Sequence, residues 1–289
     1  MSGRRIIAVA GRGVVPAGEP VLLGDDRGAL HGDGVFETMH VRGGRPWLVD
    51  EHLTRLAGAA AAVDLALPGR ADLVELIGLT CADWPAGVEG ALRLVCTRGP
   101  ESSGQTTVWT TLTEVPAGAR AARRAGLAVA TLPLPVTATG RAGLDWLPAG
   151  IKSTSYALSN AARRWAAAHG VDDVLWVSTD GYALEGPTAN LVWLDGSTLC
   201  TVPAAATGIL PGVTAGWLLA HAGRLGLAAA ERMVTPEQLR TSAGVWFTSS
   251  VRGPAPVRSL DGRALPDSRY TADLLDLLGF PIPPPPRSR

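Results

Sequence analysis

The chain has 289 residues, 46% of them hydrophobic and 18% charged, and its 26 basic and 26 acidic residues leave no net charge. That length holds one large or two ordinary domains with real cores, and so apolar a composition excludes a mainly disordered chain. The neutral balance offers no electrostatic footprint for nucleic acid or an anionic membrane, and no apolar stretch approaches the roughly eighteen residues of a membrane span.

Residues 5–10 read as a strand that ends at Gly11; only Ile6 to Ala10 follow Arg4-Arg5 as an apolar run, too short for a signal-peptide core, so a cytoplasmic protein is expected. Residues 35–42 alternate as a second strand, Gly43-Gly44 turns the chain, and 46–49 form a short third strand. Asp50 is the expected N-cap of a helix over 51–65, in which Leu53, Leu56, Ala57, Ala60 and Val63 recur at helical spacing. A second helix is expected over 70–83, with Leu73, Leu76 and Ile77 inward. Residues 91–97 and 106–113 pair as strands around the Gly99–Gly104 loop, which closes an α+β domain over 1–113. Residues 114–126 have little apolar content and are expected to be a linker.

A second domain over 127–280 begins with a strand at 127–132 and a helix at 154–168, stopped by Gly170. Strands are expected at 173–178 and 189–194 with a turn at Thr179-Asp180-Gly181, then a helix at 212–225 that ends at Gly226. Thr235-Pro236-Glu237-Gln238 is a capping-box signature; a strand at 244–249 and a helix at 268–278 follow. Five prolines in residues 281–289 predict an extended, mobile tail.

Of the 26 basic residues a single one, Lys152, is lysine. Arginine supplies charge but cannot be deprotonated, so it cannot act as an amine nucleophile or base, whereas lysine can. Cys81, Cys96 and Cys200 are far apart and odd in number, which fits small buried hydrophobes better than disulfides or a metal site. His31, His40, His52, His169 and His221 show no zinc-binding spacing, so no metal is expected.

Four segments carry chemistry. Lys152 follows Pro148 and Gly150 at a strand-to-helix junction, which can project it into a cleft, with Tyr156 four residues on. Glu185 stands alone in an uncharged run, either as a helix-cap or turn carboxylate or facing a cationic ring nitrogen. Thr207-Gly208-Ile209-Leu210-Pro211-Gly212-Val213-Thr214 runs into a helix whose first amides can hold an anion, although such a segment is often only a turn. Arg55 lies among apolar residues of a helix, where it either snorkels or binds an anion.

The order GDGVFET, EHLTRL, GIKSTSY, DGYALEGPTANLVW, GILPGVT and WFTSSVRGPAPV resembles the class IV aminotransferases, the fold-type-IV pyridoxal-phosphate enzymes, from about Gly24 to Gly262. The resemblance implies a two-domain α+β fold like that of D-amino-acid aminotransferase, with the cofactor in the interdomain cleft and two copies in a homodimer. It implies that Lys152 carries the pyridoxal phosphate and that Glu185 pairs with its ring nitrogen. Arg55, the amides of Val213 and Thr214, and Ser250 would hold the phosphate, and Tyr156 would flank the ring. The partner is then a small-molecule substrate.

Three branches of the family compete. D-amino-acid aminotransferases carry an Arg-x-His carboxylate trap, and Arg98 stands here without that His. Branched-chain aminotransferases usually read GTGVFEG, with one more residue between Lys and Tyr. GDGVFET, Lys-x-x-x-Tyr and Ser-Val-Arg-Gly-x-x-Pro-Val look most like the 4-amino-4-deoxychorismate lyases, which make 4-aminobenzoate and pyruvate for folate synthesis. On that reading Thr38 holds or relays a proton with Lys152, unless its hydroxyl merely caps a strand, and Arg98 and Arg252 are the candidate cations for substrate carboxylates. An aminotransferase acting on D-amino acids, branched-chain amino acids or amines is the alternative. A Ser/Lys amidohydrolase built on Ser153 or Ser155 lacks its Gly/Ser-rich nucleophile segment. A short-chain dehydrogenase needs Tyr-x-x-x-Lys and a GxGxxG after the first strand, and neither is present.

Overall fold

A computed structural model describes residues 4–281. The chain forms two compact units, Met1–Pro116 with Ile151–Ala157, and Ala117–Gly150 with Leu158–Arg289.

The first unit contains β1 (Arg5–Val9), β2 (Gly13–Val15), α1 (Arg27–His31), β3 (Gly34–Arg42), β4 (Arg45–Pro46), α2 (Val49–Ala61), α3 (Arg70–Cys81), β5 (Gly90–Thr97) and β6 (Thr107–Glu114). Its strands pair antiparallel in the order β2-β1-β6-β5-β3-β4. Val35, Met39 and Val41 share one core with Leu53 and Leu56 of α2 and with Leu73, Leu76 and Ile77 of α3. They do so because alternate residues of a strand share a face, and residues three and four apart share a helix face. Leu48, not Asp50, takes the N-cap position of α2, at φ 55° and without a side-chain cap. Asp50 is the second residue of the helix and accepts from Arg70 at 2.5 Å. Burial pushes the Cys81 thiol up to about 11 and the Cys96 thiol to about 12, so both are inert core residues.

The second unit contains α4 (Ala117–Ala125), β7 (Leu127–Pro133), α5 (Ala157–Ala168), β8 (Asp173–Val177), β9 (Glu185–Gly186), β10 (Ala189–Asp195), β11 (Thr198–Thr201), α6 (Ala204–Thr207), α7 (Val213–His221), β12 (Ala228–Glu231), α8 (Pro236–Leu239), β13 (Val245–Ser249), β14 (Gly253–Leu260), β15 (Arg263–Ala264) and α9 (Tyr270–Leu277). The main sheet runs β12-β11-β10-β13-β14-β7-β8, with β9 on β10 and β15 on β14. Its β11–β12, β14–β7 and β7–β8 pairs are parallel, and the rest are antiparallel. Leu175, Leu191, Trp193, Phe247 and Val257 anchor its core. The capping box at Thr235 forms as the sequence predicts.

Two expectations are corrected. The segment 114–126, expected to be a linker, holds the helix α4: alanine and arginine are strong helix formers, Ala122 and Arg123 are buried, and Arg123 donates to the carbonyls of Val251 and Arg252 at 2.8 and 3.0 Å. Lys152, expected in the second domain, belongs to the first unit. The expected helix over 154–168 starts only at Ala157. Residues before it pair with the start of β3: Phe36 N–H donates to the Lys152 carbonyl at 2.9 Å, and Thr154 N–H to the Gly34 carbonyl at 2.8 Å. The expected tail lies outside the described residues from position 282 on. Among the described residues no helix is long and apolar enough to cross a membrane.

Candidate active site

In the first unit, the pairing of residues 152–154 with β3 fixes the Lys152 backbone, and its Nζ stands 4.8 Å from the centre of the Phe36 ring. The Tyr156 ring meets the same phenyl edge-on at 5.3 Å. Thr38, two residues along β3, shares the Phe36 face by strand geometry. Arg93 of β5 pairs in register with Thr38 and lays its guanidinium 4.9 Å from the Phe36 ring. Lysine, tyrosine and arginine thus gather around one phenyl, with Thr38 beside it on the strand. Arg93 was not singled out by sequence; the alternation of 91–97 placed it on a face, but nothing in the chain order linked that face to Lys152.

Glu37 points the other way and is fully buried. It accepts from Arg55 Nε and Nη2, each at 2.7 Å, and lies 2.7 Å from His52 Nδ1. Burial pushes its carboxyl up, but the His52 and Arg55 hydrogen bonds outweigh that and hold it at about 2. A guanidinium has five N–H donors. Glu37 takes one edge of Arg55 and fixes its orientation.

The GDG turn is a bracket. Asp33 accepts from Arg98 Nε at 2.8 Å and Arg27 Nε at 3.2 Å, and those arginines, Arg98 first, hold its carboxyl below the usual range. Arg98 also donates to the carbonyls of Asp64 and Val63 at 2.9 and 2.6 Å. Arg98, the first candidate for a substrate cation, thus ties the Gly32–Gly34 turn to the end of α2, with all three nitrogens engaged. Gly32, at φ 67°, lets Ser155 close onto this turn, since a Cβ there would lie 2.6 Å from Ser155 Oγ. Ser155 and Thr154 both donate to the Gly32 carbonyl, at 3.0 and 2.8 Å.

In the second unit, Glu185 of β9 is half-buried and accepts the Leu210 N–H at 3.3 Å on each oxygen. Asn190 donates to the Leu210 carbonyl at 2.6 Å. Gly212 is required beside it, because a Cβ there would fall 2.0 Å from Asn190 Oδ1. Gly212 caps α7 without a side chain, so the first-turn amides of Val213 and Thr214 have neither a side-chain cap nor an intrahelical acceptor. Thr214 Oγ1 is buried and makes no hydrogen bond. Ser250 follows β13 directly, half-buried. Arg252, also expected at the substrate, donates through Nη1 to Asp173 at 3.0 Å, and Asp173 is itself buried. Arg123 is anchored on the Arg252 carbonyl, and the Nε and Nη2 of Arg252 are buried without a hydrogen bond.

Residues 34–260 match the family model for amino-transferase class IV. A curated relative from Mycobacterium tuberculosis, a bifunctional aminodeoxychorismate lyase / D-amino acid transaminase, is 38% identical over 88% of this chain and 90% of its own. Among solved structures, a hypothetical aminotransferase from the same organism in its PLP-bound form superposes with TM-score 0.91 at 37% identity, covering 94% of this chain and 97% of its own. A fold IV-transaminase from Curtobacterium pusillum superposes with TM-score 0.89 at 35% identity, covering 95% and 97%.

Proposed function

Because the chain belongs to the class IV aminotransferases, which are pyridoxal-phosphate-dependent enzymes of fold type IV, we propose that it is a lyase converting 4-amino-4-deoxychorismate to 4-aminobenzoate and pyruvate. The observation that carries the cofactor chemistry is the chain's single lysine, held by β3 against Phe36, whose ring Tyr156 also meets, and the GDGVFET, Lys-x-x-x-Tyr and Ser-Val-Arg-Gly-x-x-Pro-Val motifs favour the lyase.

The residues fit the cofactor. The unmet Thr214 hydroxyl and the first-turn amides of Val213 and Thr214 suit a phosphate, and Ser250 and the oriented Arg55 add donors. Glu185, fixed by the Leu210 amide, suits a protonated ring nitrogen, and Lys152 supplies the amine. Bound pyridoxal phosphate supplies an electron sink for negative charge on the substrate carbon.

Lys152 Nζ takes the proton from the carbon that bears the substrate amine. The ring aromatises as its C–O bond to the enolpyruvyl group breaks, and the departing enol needs a proton to become pyruvate. Thr38, on the Phe36 face, holds or relays that proton with Lys152. The substrate carries carboxylates, and Arg93, in place of Arg98, is the cation on this face. Charged hydrogen bonds of this kind are worth roughly 1.5–3 kcal/mol. Arg93→Ala is therefore expected to raise KM by about tenfold or more with the cofactor's visible band intact; an unchanged KM would remove Arg93 from the site.

Glu185→Gln is expected to keep the cofactor bound and to slow proton removal, because a neutral amide stabilises a protonated ring nitrogen poorly. Equal single-turnover rates would contradict the role. The family resemblance also carries the proposals of a cytoplasmic homodimer serving folate precursor synthesis; light scattering that reads a monomer would contradict the dimer.

The second reading is a D-amino acid transaminase using the same residues, favoured by the two activities joined in the name of the M. tuberculosis relative. Product analysis separates them. The lyase releases pyruvate and 4-aminobenzoate from 4-amino-4-deoxychorismate. No pyruvate from that substrate, with amino groups moving from D-alanine to 2-oxoglutarate, would leave the transaminase.

A further inference from the structure

Among the described residues, the second unit contains a guanidinium with no counter-ion. Arg141 is half-buried, and its Nε and Nη2 are enclosed by protein and make no hydrogen bond. It forms no ion pair among the described residues. Other arginines set into the fold have partners: Arg98 has Asp33, Arg123 has two carbonyls, and Arg252, whose Nε and Nη2 are likewise enclosed without a hydrogen bond, has Asp173. Arginine cannot shed its charge when desolvated, so an enclosed and unmatched guanidinium is a standing cost to the fold.

The backbone around Arg141 is tightly placed. Ala138 N–H donates to Asp180 Oδ1 at 2.8 Å, and Gly140 and Ala142 turn back on Thr137 and Thr139 at 3.0 and 3.2 Å. Gly208, at φ 65°, permits the approach of Arg141, since a Cβ on it would lie 3.1 Å from the Arg141 Cβ. Gly150 does the same further on, where a Cβ would lie 3.0 Å from the Ile209 carbonyl. The neighbouring residue, Leu210, is the one whose amide holds Glu185. One short turn, 208–210, therefore touches Arg141 at one end and the Glu185 carboxylate at the other.

We propose that Arg141 binds a carboxylate of the substrate and selects for substrates with two carboxylates. The proposal rests on the reading of Glu185 as the cofactor's carboxylate, whose unit Arg141 shares. The planar fork of arginine matches a carboxylate in two parallel hydrogen bonds, which supplies the missing counter-ion. The residue as a whole is half-buried, so part of its side chain reaches solvent while Nε and Nη2 stay enclosed until a carboxylate enters.

The test titrates succinate, an unreactive dicarboxylate, by calorimetry into pyridoxal-phosphate-loaded wild type, Arg141→Gln and Arg141→Lys. Binding is expected to weaken about tenfold or more in Arg141→Gln and to recover in part in Arg141→Lys, with the cofactor's visible band unchanged in all three. Without succinate, Arg141→Gln is expected to melt no lower than wild type, because it removes an unmatched charge; a purely structural arginine would lower the Tm. Equal succinate affinity in wild type and Arg141→Gln overturns the proposal, as does wild type that binds no succinate, or loss of the cofactor from Arg141→Gln. A wild type that binds succinate through Arg141 yet turns over neither 4-amino-4-deoxychorismate nor D-alanine would sink the proposed reactions and leave this assignment standing.

Discussion

Lys152→Ala is expected to lose the cofactor's visible absorption band and to reduce turnover by roughly 10³–10⁴-fold, the upper range for removing a positioned proton-transfer group. Lys152→Arg is expected to fare no better. Arginine keeps the charge and the contact with the Phe36 ring, but it offers neither a nucleophilic amine nor a group that can accept a proton near neutral pH. That pair separates chemistry from packing: a structural cation over Phe36 would be rescued by arginine, and a cofactor lysine would not. Retention of the band in either variant would remove Lys152 from the site.

Glu37 is expected to be the residue whose loss costs the first unit most. Its carboxylate is the partner of Arg55 and His52 at one buried point, so Glu37→Ala leaves a guanidinium without its counter-ion inside the fold. Breaking a buried pair by removing one partner costs about 3–5 kcal/mol, and urea denaturation reads it; a loss below 1 kcal/mol would contradict the account. The same group makes stability depend on pH. Its folded pKa of about 2 lies below the ordinary 4.5, so the unfolded chain takes up the proton first as pH falls. The contribution is fully present above pH 4.5 and is lost progressively toward pH 2, and the shift corresponds to about 3 kcal/mol. Wild type is expected to lose stability steeply over that window and Glu37→Gln much less so. Parallel pH curves would show that other carboxylates dominate.

Sequence alone exposed Lys152 because arginine stands at every other basic position that needs only charge. It exposed α7 because glycine, proline and a following apolar run announce a helix start. It did not expose α4: alanine packs well, but its small side chain leaves little hydrophobic signal, so a helical stretch of Ala and Arg read as a linker. Nor did it assign Lys152 to its unit, since that depends on hydrogen bonds to β3 across more than a hundred residues. GVFET and EHLTRL were both legible as motifs, yet the union of Glu37, His52 and Arg55 was not, because it needs a strand and a helix packed face to face. Arg98 illustrates the converse. Its position beside a loop suggested a ligand, while two of its partners are backbone carbonyls, which carry no sequence signature. Arg93 and Arg141 each emerged only from their surroundings: one beside the ring under Lys152, the other enclosed without a counter-ion.

Reduction of the pyridoxal-phosphate-loaded enzyme with borohydride, followed by digestion and peptide mass spectrometry, tests the central claim most directly. The account predicts one phosphopyridoxyl group per chain, on the peptide containing Lys152. A label confined to the N-terminal amine, or an active enzyme that takes no label at Lys152, would contradict it.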